Sequence, residues 1–263
     1  MSYLYETHLH TSLSSACANS KGSEYIRYYK ELGYSGMIVT DHFYNGNTAI
    51  PRSLPWKEWV KWFFRGYEEA WNEGQKQDFD VFFGWEESFD CCDDYLVYGL
   101  DKNWLMEHPE AKDWTRGEQF RAVKAAGGCV VQAHPFRQHG YIRRIVLSTG
   151  CVDAVEAANA TNSEQAYDAL ALRYAEKNGF PYTAGTDTHN VEQVRNSWPF
   201  GIYVEEKINN INDFVNIICN KLIGDISIIK GRCNYYGNEN IAIPVDIRDR
   251  NDQSIEKDWK DFI

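Results

Sequence analysis

The chain of 263 residues lacks several features that would identify common classes of protein. It has no run of about 18 apolar residues and no basic N-terminal region before an apolar stretch, so neither a membrane span nor export is predicted. The patterns G-x-S-x-G, G-x-x-x-x-G-K-S/T and G-x-G-x-x-G are also absent. The usual support for an acyl hydrolase, a P-loop nucleotidase or a dinucleotide-binding enzyme is therefore missing.

Paired cysteine motifs and an excess of basic charge are missing too. The seven cysteines show no C-x-x-C spacing, and an odd number suits a reducing, cytoplasmic location. We interpret the adjacent Cys91 and Cys92 as surface or core thiols rather than as a metal site. The formal net charge of −11 argues against a nucleic-acid partner, although local basic residues can still bind a small phosphate ester.

Residues with metal-binding side chains form short groups, each at the end of a predicted β-strand. These groups are His8-Leu9-His10, Asp41-His42, Glu86, Ala133-His134-Pro135 and Asp187-Thr188-His189. In an α/β barrel the catalytic residues gather at the C-terminal ends of the strands. The positions therefore favour a barrel with one site at that face.

The spacing within these groups suits metal coordination. His8 and His10 are two residues apart, so both side chains point to the same side of a strand and can hold one ion. Asp187 and His189 have the same spacing. Imidazole and carboxylate together suit Zn, Mn or Fe better than Mg or Ca. Five imidazoles and two carboxylates are too many for one catalytic ion, so the sequence predicts two or three divalent ions.

The order of these motifs resembles the PHP family, named for polymerase and histidinol phosphatase. The matching segments, in the family's order between about residues 3 and 205, are Glu6-Thr7-His8-Leu9-His10-Thr11, Thr40-Asp41-His42, Gly84-Trp85-Glu86, Ala133-His134-Pro135 and Gly185-Thr186-Asp187-Thr188-His189. The resemblance implies a distorted seven-stranded (βα) barrel, TIM-like and of the α/β class. It also implies a metal-dependent phosphoesterase.

The activity implied by the resemblance is hydrolysis of small phosphate monoesters by a metal-bound hydroxide, with histidinol phosphate as one possible substrate. One alternative is a nucleotide phosphodiesterase or 3′ exonuclease of the same family. Another is a degenerate barrel that serves as a binding module. The expected partner is a small phosphorylated molecule, no membrane is expected, and the oligomeric state is unknown.

The resemblance also implies roles for single residues. His8, His10 and Asp187 would hold one ion, and Glu86 would bridge it to a second ion at His134. His42 and His189 would belong to a third ion. The residues expected to take part in catalysis are Glu86, His134, Asp187 and His189.

Two positions depart from the family pattern. Ser14-Ser15-Ala16-Cys17 stands where many members have a His or Asp after the H-x-H pair. Asp94-Tyr95-Leu96-Val97-Tyr98 stands where many have a His in the strand after the glutamate. The second ion is then held loosely, or by water and substrate, and the third uses Cys17, water or nothing.

Some residues near the motifs have two interpretations. Asp41 either orients His42 or caps the following loop. Glu87 points to the opposite side of the strand from Glu86, unless the strand bulges. Arg137 either binds a substrate phosphate through its guanidinium or pairs with a carboxylate. Arg143 and Arg144, in a predicted helix, are weaker candidates.

The rest of the chain alternates strand and helix and predicts a single barrel domain over residues 1–263. Helices are predicted at 23–32, 57–73, 116–126, 163–178 and 209–222, and further strands at 152–157, 200–204 and 226–229. Residues 101–115 are predicted to form a long loop, and residues 206–263 a C-terminal closure and extension.

An aromatic insertion at residues 43–64 follows the second strand. Trp59, Trp62 and Phe63 either form the buried stripe of a helix, which we favour, or line a substrate pocket.

Overall fold

The computed structural model describes residues 2–90, 92–195, 199–221, 225–227 and 241–263. The strands are β1 (Tyr3–Leu9), β2 (Tyr34–Val39), β3 (Asp80–Ser88), β4 (Asp94–Tyr98), β5 (Cys129–Gln132), β6 (Ile145–Ser148), β7 (Ala154–Asn159), β8 (Tyr182–Gly185), β9 (Gly201–Val204), β10 (Asp225–Ser227) and β11 (Val245–Arg248). The α-helices are α1 (Gly22–Glu31), α2 (Trp56–Phe63), α3 (Arg65–Gln77), α4 (Lys102–Glu107), α5 (Arg116–Ala125), α6 (Gln165–Asn178), α7 (Val191–Arg195) and α8 (Ile211–Cys219). Two 3-10 helices span Pro109–Asp113 and Trp259–Phe262.

The main sheet curls into a nearly closed barrel. Its strand order is β10-β9-β1-β2-β3-β4-β5-β7-β8, and a parallel bridge between Leu9 and Thr188 brings its far edge back to β1. The barrel expected from the sequence is therefore confirmed, but eight strands from β9 to β8 form it, not seven. Two of them, β4 and β9, run antiparallel to their neighbours. Antiparallel strands need no crossover helix, so a count of strand and helix pairs does not fix the number of strands.

The predicted helices at 23–32, 116–126 and 163–178 are present as α1, α5 and α6. α5 begins after Thr115, whose hydroxyl accepts the N–H of Glu118, and α6 ends at Gly179 with φ 69°. The predicted helix at 209–222 is the shorter α8, capped by Asn210. The prediction for 226–229 overlaps β10, and residues 228–229 lie outside the described residues.

The single helix predicted for 57–73 is wrong, because α2 and α3 are separate and meet at Phe64. The Ser14 hydroxyl donates to the Phe63 carbonyl at 2.7 Å and accepts the N–H of Gly66 at 3.3 Å. These hydrogen bonds to Ser14, in the loop after β1, compete with the backbone hydrogen bonds of a continuous helix. A tertiary interaction therefore divides a continuous helical pattern.

The prediction of a long loop at 101–115 is also wrong. This segment contains α4 and the 3-10 helix Pro109–Asp113. Asp101 caps α4, since its side chain accepts the N–H of Trp104 at 2.8 Å. The apolar residue that anchors the segment is Leu105, which is fully buried.

Most aromatic side chains of the 43–64 insertion are part of the hydrophobic core. Trp59 and Phe63 are buried and stack with ring centroids 5.0 Å apart. Trp62 is 36% exposed, so its place in the predicted buried stripe is wrong, and the Arg65 guanidinium lies 3.9 Å from its ring centroid. The Trp56 indole N–H donates to the Leu105 carbonyl at 2.7 Å, which ties the insertion to α4.

The described C-terminal residues pack beside the barrel. β11 pairs in parallel with β6, and Trp259 lies 6.2 Å from Phe136 between ring centroids. Arg143 and Arg144 lie in irregular chain just before β6, so the helix predicted for them is wrong. Within the described segments, no helix combines the length and apolar character that crossing a membrane requires.

Candidate metal centre

The seven predicted metal ligands lie together at the carboxyl ends of the barrel strands. His8 and Glu86 lie near the ends of β1 and β3, and the others lie within the first residues of the loops that follow β1, β2, β5 and β8. A cavity of about 410 Å³ opens onto this cluster. The predicted residues that line it are His42, Glu86, His134, Arg137, Asp187 and His189. His8 and His10 are fully buried beneath it.

Hydrogen bonds fix which nitrogen of His8 and His10 faces the cluster. His8 Nδ1 lies 3.0 Å from Glu156 Oε1, and a carboxylate only accepts, so Nδ1 carries a proton. His10 Nδ1 lies 3.2 Å from Ser15 Oγ, and that hydroxyl already donates to Asp41 Oδ1 at 2.6 Å. His10 Nδ1 therefore carries a proton as well. In the neutral rings this leaves a lone pair on each Nε2.

These two Nε2 atoms face one another across 3.3 Å. His8 Nε2 lies 3.2 Å from Glu86 Oε1, and His10 Nε2 lies 3.1 Å from Asp187 Oδ1. Two imidazole lone pairs and two carboxylate oxygens thus converge at the buried floor of the cavity. Such a set repels itself unless a cation neutralises it, so these residues fit a divalent metal ion.

Glu86 connects this group to the other predicted ligands. Its Oε2 lies 2.8 Å from His42 Nδ1, and its Oε1 lies 3.3 Å from His134 Nε2. Glu86 Oε2 and His42 Nδ1 are both buried without a hydrogen-bond partner of suitable geometry. A buried polar atom without a partner is costly, and a coordinated ion would satisfy both. The register of β3 with β4 has no bulge, so Glu86 faces the centre and Glu87 does not.

A third group contains His10, His42 and His189, whose ligand atoms lie within 4.8 Å of one another. The rings of His42 and His189 lie 4.2 Å and 4.5 Å from the His10 ring between centroids. The Asp187 carbonyl accepts the N–H of His189 Nδ1 at 2.8 Å, which leaves His189 Nε2 available to a ligand. Cys17 lines the cavity next to these histidines.

Electrostatics in the cluster follow from burial and crowding. Burial would lower the pKa of His8, but Glu156, Asp187 and Glu86 raise it well above the usual value. Burial would raise the pKa of Glu86, but His8 and His42 hold it well below the usual range. Burial would also raise the pKa of Cys17, but hydrogen bonds with His189 and His42 lower it to about 6. The site therefore holds anionic groups ready at neutral pH, and protons compete with a metal for its imidazoles.

Two of the predicted ligands have strained backbones. His134 has φ 27° and Asp187 has φ 52°, a region that non-glycine residues rarely adopt. The His134 N–H donates to Glu156 Oε2 at 3.1 Å, and the Asp187 N–H donates to the His8 carbonyl at 2.7 Å. Strain that is held in place by surrounding bonds is common at functional sites.

Asp41 anchors the loop after β1 and does not contact the ring of its neighbour His42 through its carboxylate. Its carboxylate accepts the N–H of Thr11 at 2.6 Å, the Thr11 hydroxyl at 2.7 Å and the Ser15 hydroxyl at 2.6 Å. Ser15 stands near the position of a missing family ligand. Its hydroxyl, which Asp41 holds in place, accepts the N–H of His10 Nδ1. Asp41 thus orients a candidate ligand through a serine.

Arg137 pairs with a carboxylate at the cavity wall. Its Nη1 donates to Asp187 Oδ2 at 2.8 Å, and its Nη2 donates to Asn159 Oδ1 at 2.7 Å. Its Nε donates to Asn162 Oδ1 at 2.8 Å. The structure therefore contains the ion pair that was the second interpretation of Arg137. The guanidinium still borders the cavity, and its role toward phosphate stays a prediction.

Sequence reasoning missed two carboxylates at the centre. Glu156 is fully buried on β7, and Asp94 at the start of β4 has an oxygen 3.8 Å from His134 Nε2. Burial raises the pKa of Asp94 to about 7. The sequence signal for Glu156 was weak, because it is one of two carboxylates, with Asp153, in the otherwise apolar run 152–157.

Comparisons with known proteins give matches in structure alone. No family model matches the sequence, and no curated protein matches it. A two-domain protein from Bacteroides vulgatus, described as containing a predicted PHP-like metal-dependent phosphoesterase, superposes with a TM-score of 0.61 at 12% identity. The match covers 85% of this chain and 64% of that one, so this chain spans less than two thirds of its length.

Two other structures have the same architecture. A candidate metal-dependent phosphoesterase from Bifidobacterium adolescentis gives a TM-score of 0.54 at 15% identity, with 82% of this chain and 96% of that one covered. A lesion-specific endonuclease from Pyrococcus furiosus gives 0.53 at 12% identity, with 84% and 56% covered. At these identities the likeness establishes the fold. The chain therefore has the barrel fold found in PHP-like metal-dependent phosphoesterases.

Proposed function

We propose that the protein is a metal-dependent phosphoesterase that hydrolyses small phosphate monoesters. The observation that carries the proposal is the convergence of imidazole lone pairs on carboxylate oxygens, including the 3.3 Å separation of His8 Nε2 and His10 Nε2. The fold is shared with proteins described as metal-dependent phosphoesterases. Fold alone does not set an activity, so the site geometry has to support it.

The residues proposed to hold two or three divalent ions, Zn, Mn or Fe, are His8, His10, His42, Glu86, His134, Asp187 and His189. When bound, such ions supply Lewis acidity toward the phosphoryl oxygens and make a water molecule acidic enough to attack at neutral pH. Glu86 is central to this arrangement because its two oxygens face different groups of histidines.

The chain's own residues perform the remaining tasks. Burial would raise the pKa of Asp187 and of Glu86, but neighbouring groups, His8 foremost, hold both pKa values well below the usual range, so both side chains are anionic at neutral pH. His189 is 24% exposed at the cavity, and the hydrogen bond of its Nδ1 to the Asp187 carbonyl leaves Nε2 available to a ligand. Arg137 could contact a phosphate oxygen, for which it would have to share Nη1 with Asp187.

The size and charge of the site support a small substrate. A cavity of about 410 Å³ lies within the range of small-molecule pockets. The net charge of −11 makes a long polyanion an unfavourable partner. Among the described residues, Cys17, Cys129, Cys151 and Cys219 are free thiols, which agrees with the proposed cytoplasmic location.

Two alternatives keep support of their own. A phosphodiester substrate agrees with the fold shared with a lesion-specific endonuclease. A binding module without catalysis agrees with Ser15 and Tyr95, which stand where many family members have further ligands. The seven retained ligand residues, whose side chains converge, argue against the second alternative.

The test is phosphate release from a panel of small phosphomonoesters, histidinol phosphate among them. The protein is reloaded with Mn, Zn or Fe and compared with a chelator-treated sample and with His10→Ala. His108→Ala is the matched control, because His108 stacks on Trp104 with centroids 4.0 Å apart, away from the cavity. We expect metal-dependent release that His10→Ala lowers at least about 100-fold and that His108→Ala leaves nearly unchanged.

Folded protein that releases no phosphate with any metal would overturn the monoesterase proposal. In that case a phosphodiester and single-stranded DNA are assayed with the same protein at two salt concentrations. Hydrolysis of either would favour the diesterase alternative. Inactivity toward all of them would favour the binding module.

A further inference from the structure

The strand β7 carries a carboxylate that belongs to none of the sequence motifs. Glu156 is fully buried. Its Oε1 lies 3.0 Å from His8 Nδ1. Its Oε2 accepts the His134 backbone N–H at 3.1 Å and the Asn159 side-chain N–H at 2.9 Å. One side chain thus contacts two predicted metal ligands from opposite parts of the chain.

The bond to His8 sets the direction of that ring. Because the carboxylate accepts, the proton of the imidazole lies on Nδ1, and the Nε2 lone pair points at Glu86 and Asp187, 3.2 Å and 3.6 Å away. A carboxylate behind a metal-binding histidine fixes its tautomer and raises its basicity as a ligand. Without this acceptor, the proton could equally sit on Nε2, where it would block an ion.

The bond to His134 supports a strained backbone. His134 has φ 27°, and its buried N–H donates to the Glu156 carboxylate. The strain turns the side chain so that Nε2 lies 3.3 Å from Glu86 Oε1. Glu156 therefore holds the backbone of one candidate ligand and the ring of another.

The packing around Glu156 is built for this close approach. Gly185 lies against it, and a Cβ at that position would stand 2.8 Å from Glu156 Oε1 and 2.5 Å from His8 Cβ. Only a glycine permits this spacing. The glycine of the G-T-D-T-H motif thus lets β1, β7 and β8 meet around the carboxylate.

We infer that Glu156 is a positioning residue of the metal centre, which fixes the His8 tautomer and the His134 backbone without coordinating an ion itself. The inference rests on the metal-binding part of the proposed function. A direct ligand role is the competing possibility, because ligand atoms of His8, His134 and Glu156 also lie within 4.8 Å of one another. Both oxygens of Glu156 already accept hydrogen bonds, one of them from His8, which favours positioning.

The test compares metal binding by the wild type, Glu156→Gln and Glu156→Asp, measured by calorimetric titration with Mn²⁺ and Zn²⁺. We expect the variants to bind the same number of ions with an affinity about 10- to 100-fold lower. Glu87→Gln is the matched control, since Glu87 is an equally buried carboxyl side chain that faces away from the cluster. It should leave the affinity unchanged.

A second readout follows the imidazole itself. In zinc-loaded wild type, ¹⁵N NMR should show His8 coordinated through Nε2 with a proton on Nδ1. This measurement needs no variant, so it decides the matter even if both Glu156 variants fail to fold. Coordination through Nδ1 would overturn the inference.

The outcomes separate the inference from the proposed function. Wild type that binds no metal would contradict the proposed function. Wild type that binds metal while a folded Glu156→Gln binds it with equal affinity would contradict the inference alone. A variant that binds one ion fewer, with the remaining ions unaffected, would make Glu156 a direct ligand and would also overturn the inference.

Discussion

Glu86 and Glu87 are neighbours with opposite electrostatic surroundings. Successive side chains of a strand point to opposite faces, so Glu86 lies in the histidine cluster while Glu87 is buried on the other face. Burial raises the pKa of Glu86, but His8 and His42 outweigh burial and hold it well below the usual value. Burial raises the pKa of Glu87 to about 8, and its hydrogen bond from the Ser88 N–H only partly offsets this effect. One position along a strand therefore separates an anion from a neutral acid.

We predict that Glu87 makes stability fall as the pH rises. Between about pH 4.5 and 8 the unfolded chain releases this proton and the folded chain keeps it. The free energy of unfolding then falls by up to about 1.4 kcal/mol per pH unit on account of this group. Glu87→Gln removes the effect, so the variant should gain stability relative to wild type across this window, measured by urea denaturation at several pH values. A stability difference that is constant with pH would contradict the prediction.

At the scale of elements, a buried ion pair joins the β3–β4 hairpin to α5. Arg116 at the start of α5 donates from Nε and Nη2 to the two oxygens of Asp93, each at 2.7 Å. The side chains are 5% and 7% exposed, and the Arg116 guanidinium also lies 4.8 Å from the Phe89 ring centroid. Asp93 directly precedes Asp94, so the same pair places the hairpin whose strand reaches His134.

We predict that Asp93→Ala lowers the free energy of unfolding by about 3–5 kcal/mol, because it leaves the Arg116 charge buried without a partner. The control is Glu31→Ala, which breaks the exposed pair of Arg27 and Glu31 on α1 and should change little. Denaturant unfolding of both variants measures the difference. Equal, small effects would show that the buried pair is not what holds the hairpin.

At the scale of the whole molecule, the candidate metal centre joins distant parts of the chain. His8 and Glu156 are 148 residues apart, and Arg137 and Asp187 are 50 apart. The site forms only when the barrel closes, since the Asp187 N–H must reach the His8 carbonyl at 2.7 Å. Ions that bind these residues therefore bind the folded protein and favour it over the unfolded chain.

We predict that metal removal lowers the melting temperature. An ion at about 100 times its Kd adds about 2.7 kcal/mol, which corresponds to a rise in Tm of roughly 5–10 °C for a chain of this size. Differential scanning calorimetry with chelator, and then with increasing Mn²⁺ or Zn²⁺, measures this shift. His10→Ala should reduce it. A Tm that is independent of metal in the wild type would count against an ion at this site.

Local pattern and motif order in the sequence were enough to predict the barrel, most helices and the convergence of His8, His10, His42, Glu86 and Asp187. Strand and helix periodicity is a property of neighbouring residues, and parallel strands bring their carboxyl ends to one face. Periodicity placed Glu86 and Glu87 on opposite faces of the strand, and the G-x-E pattern of the family resemblance selected Glu86.

The tertiary structure decided what depends on distant partners. The eighth strand arises because β4 and β9 pair antiparallel, and the break at Phe64 arises because Ser14 bonds to Phe63 and Gly66. Whether Glu156 is a core residue or part of the site depends on His8, far away in the sequence. The sequence pattern determines on which face of a strand or helix a side chain lies. Which distant side chain it contacts on that face is determined only when the barrel closes.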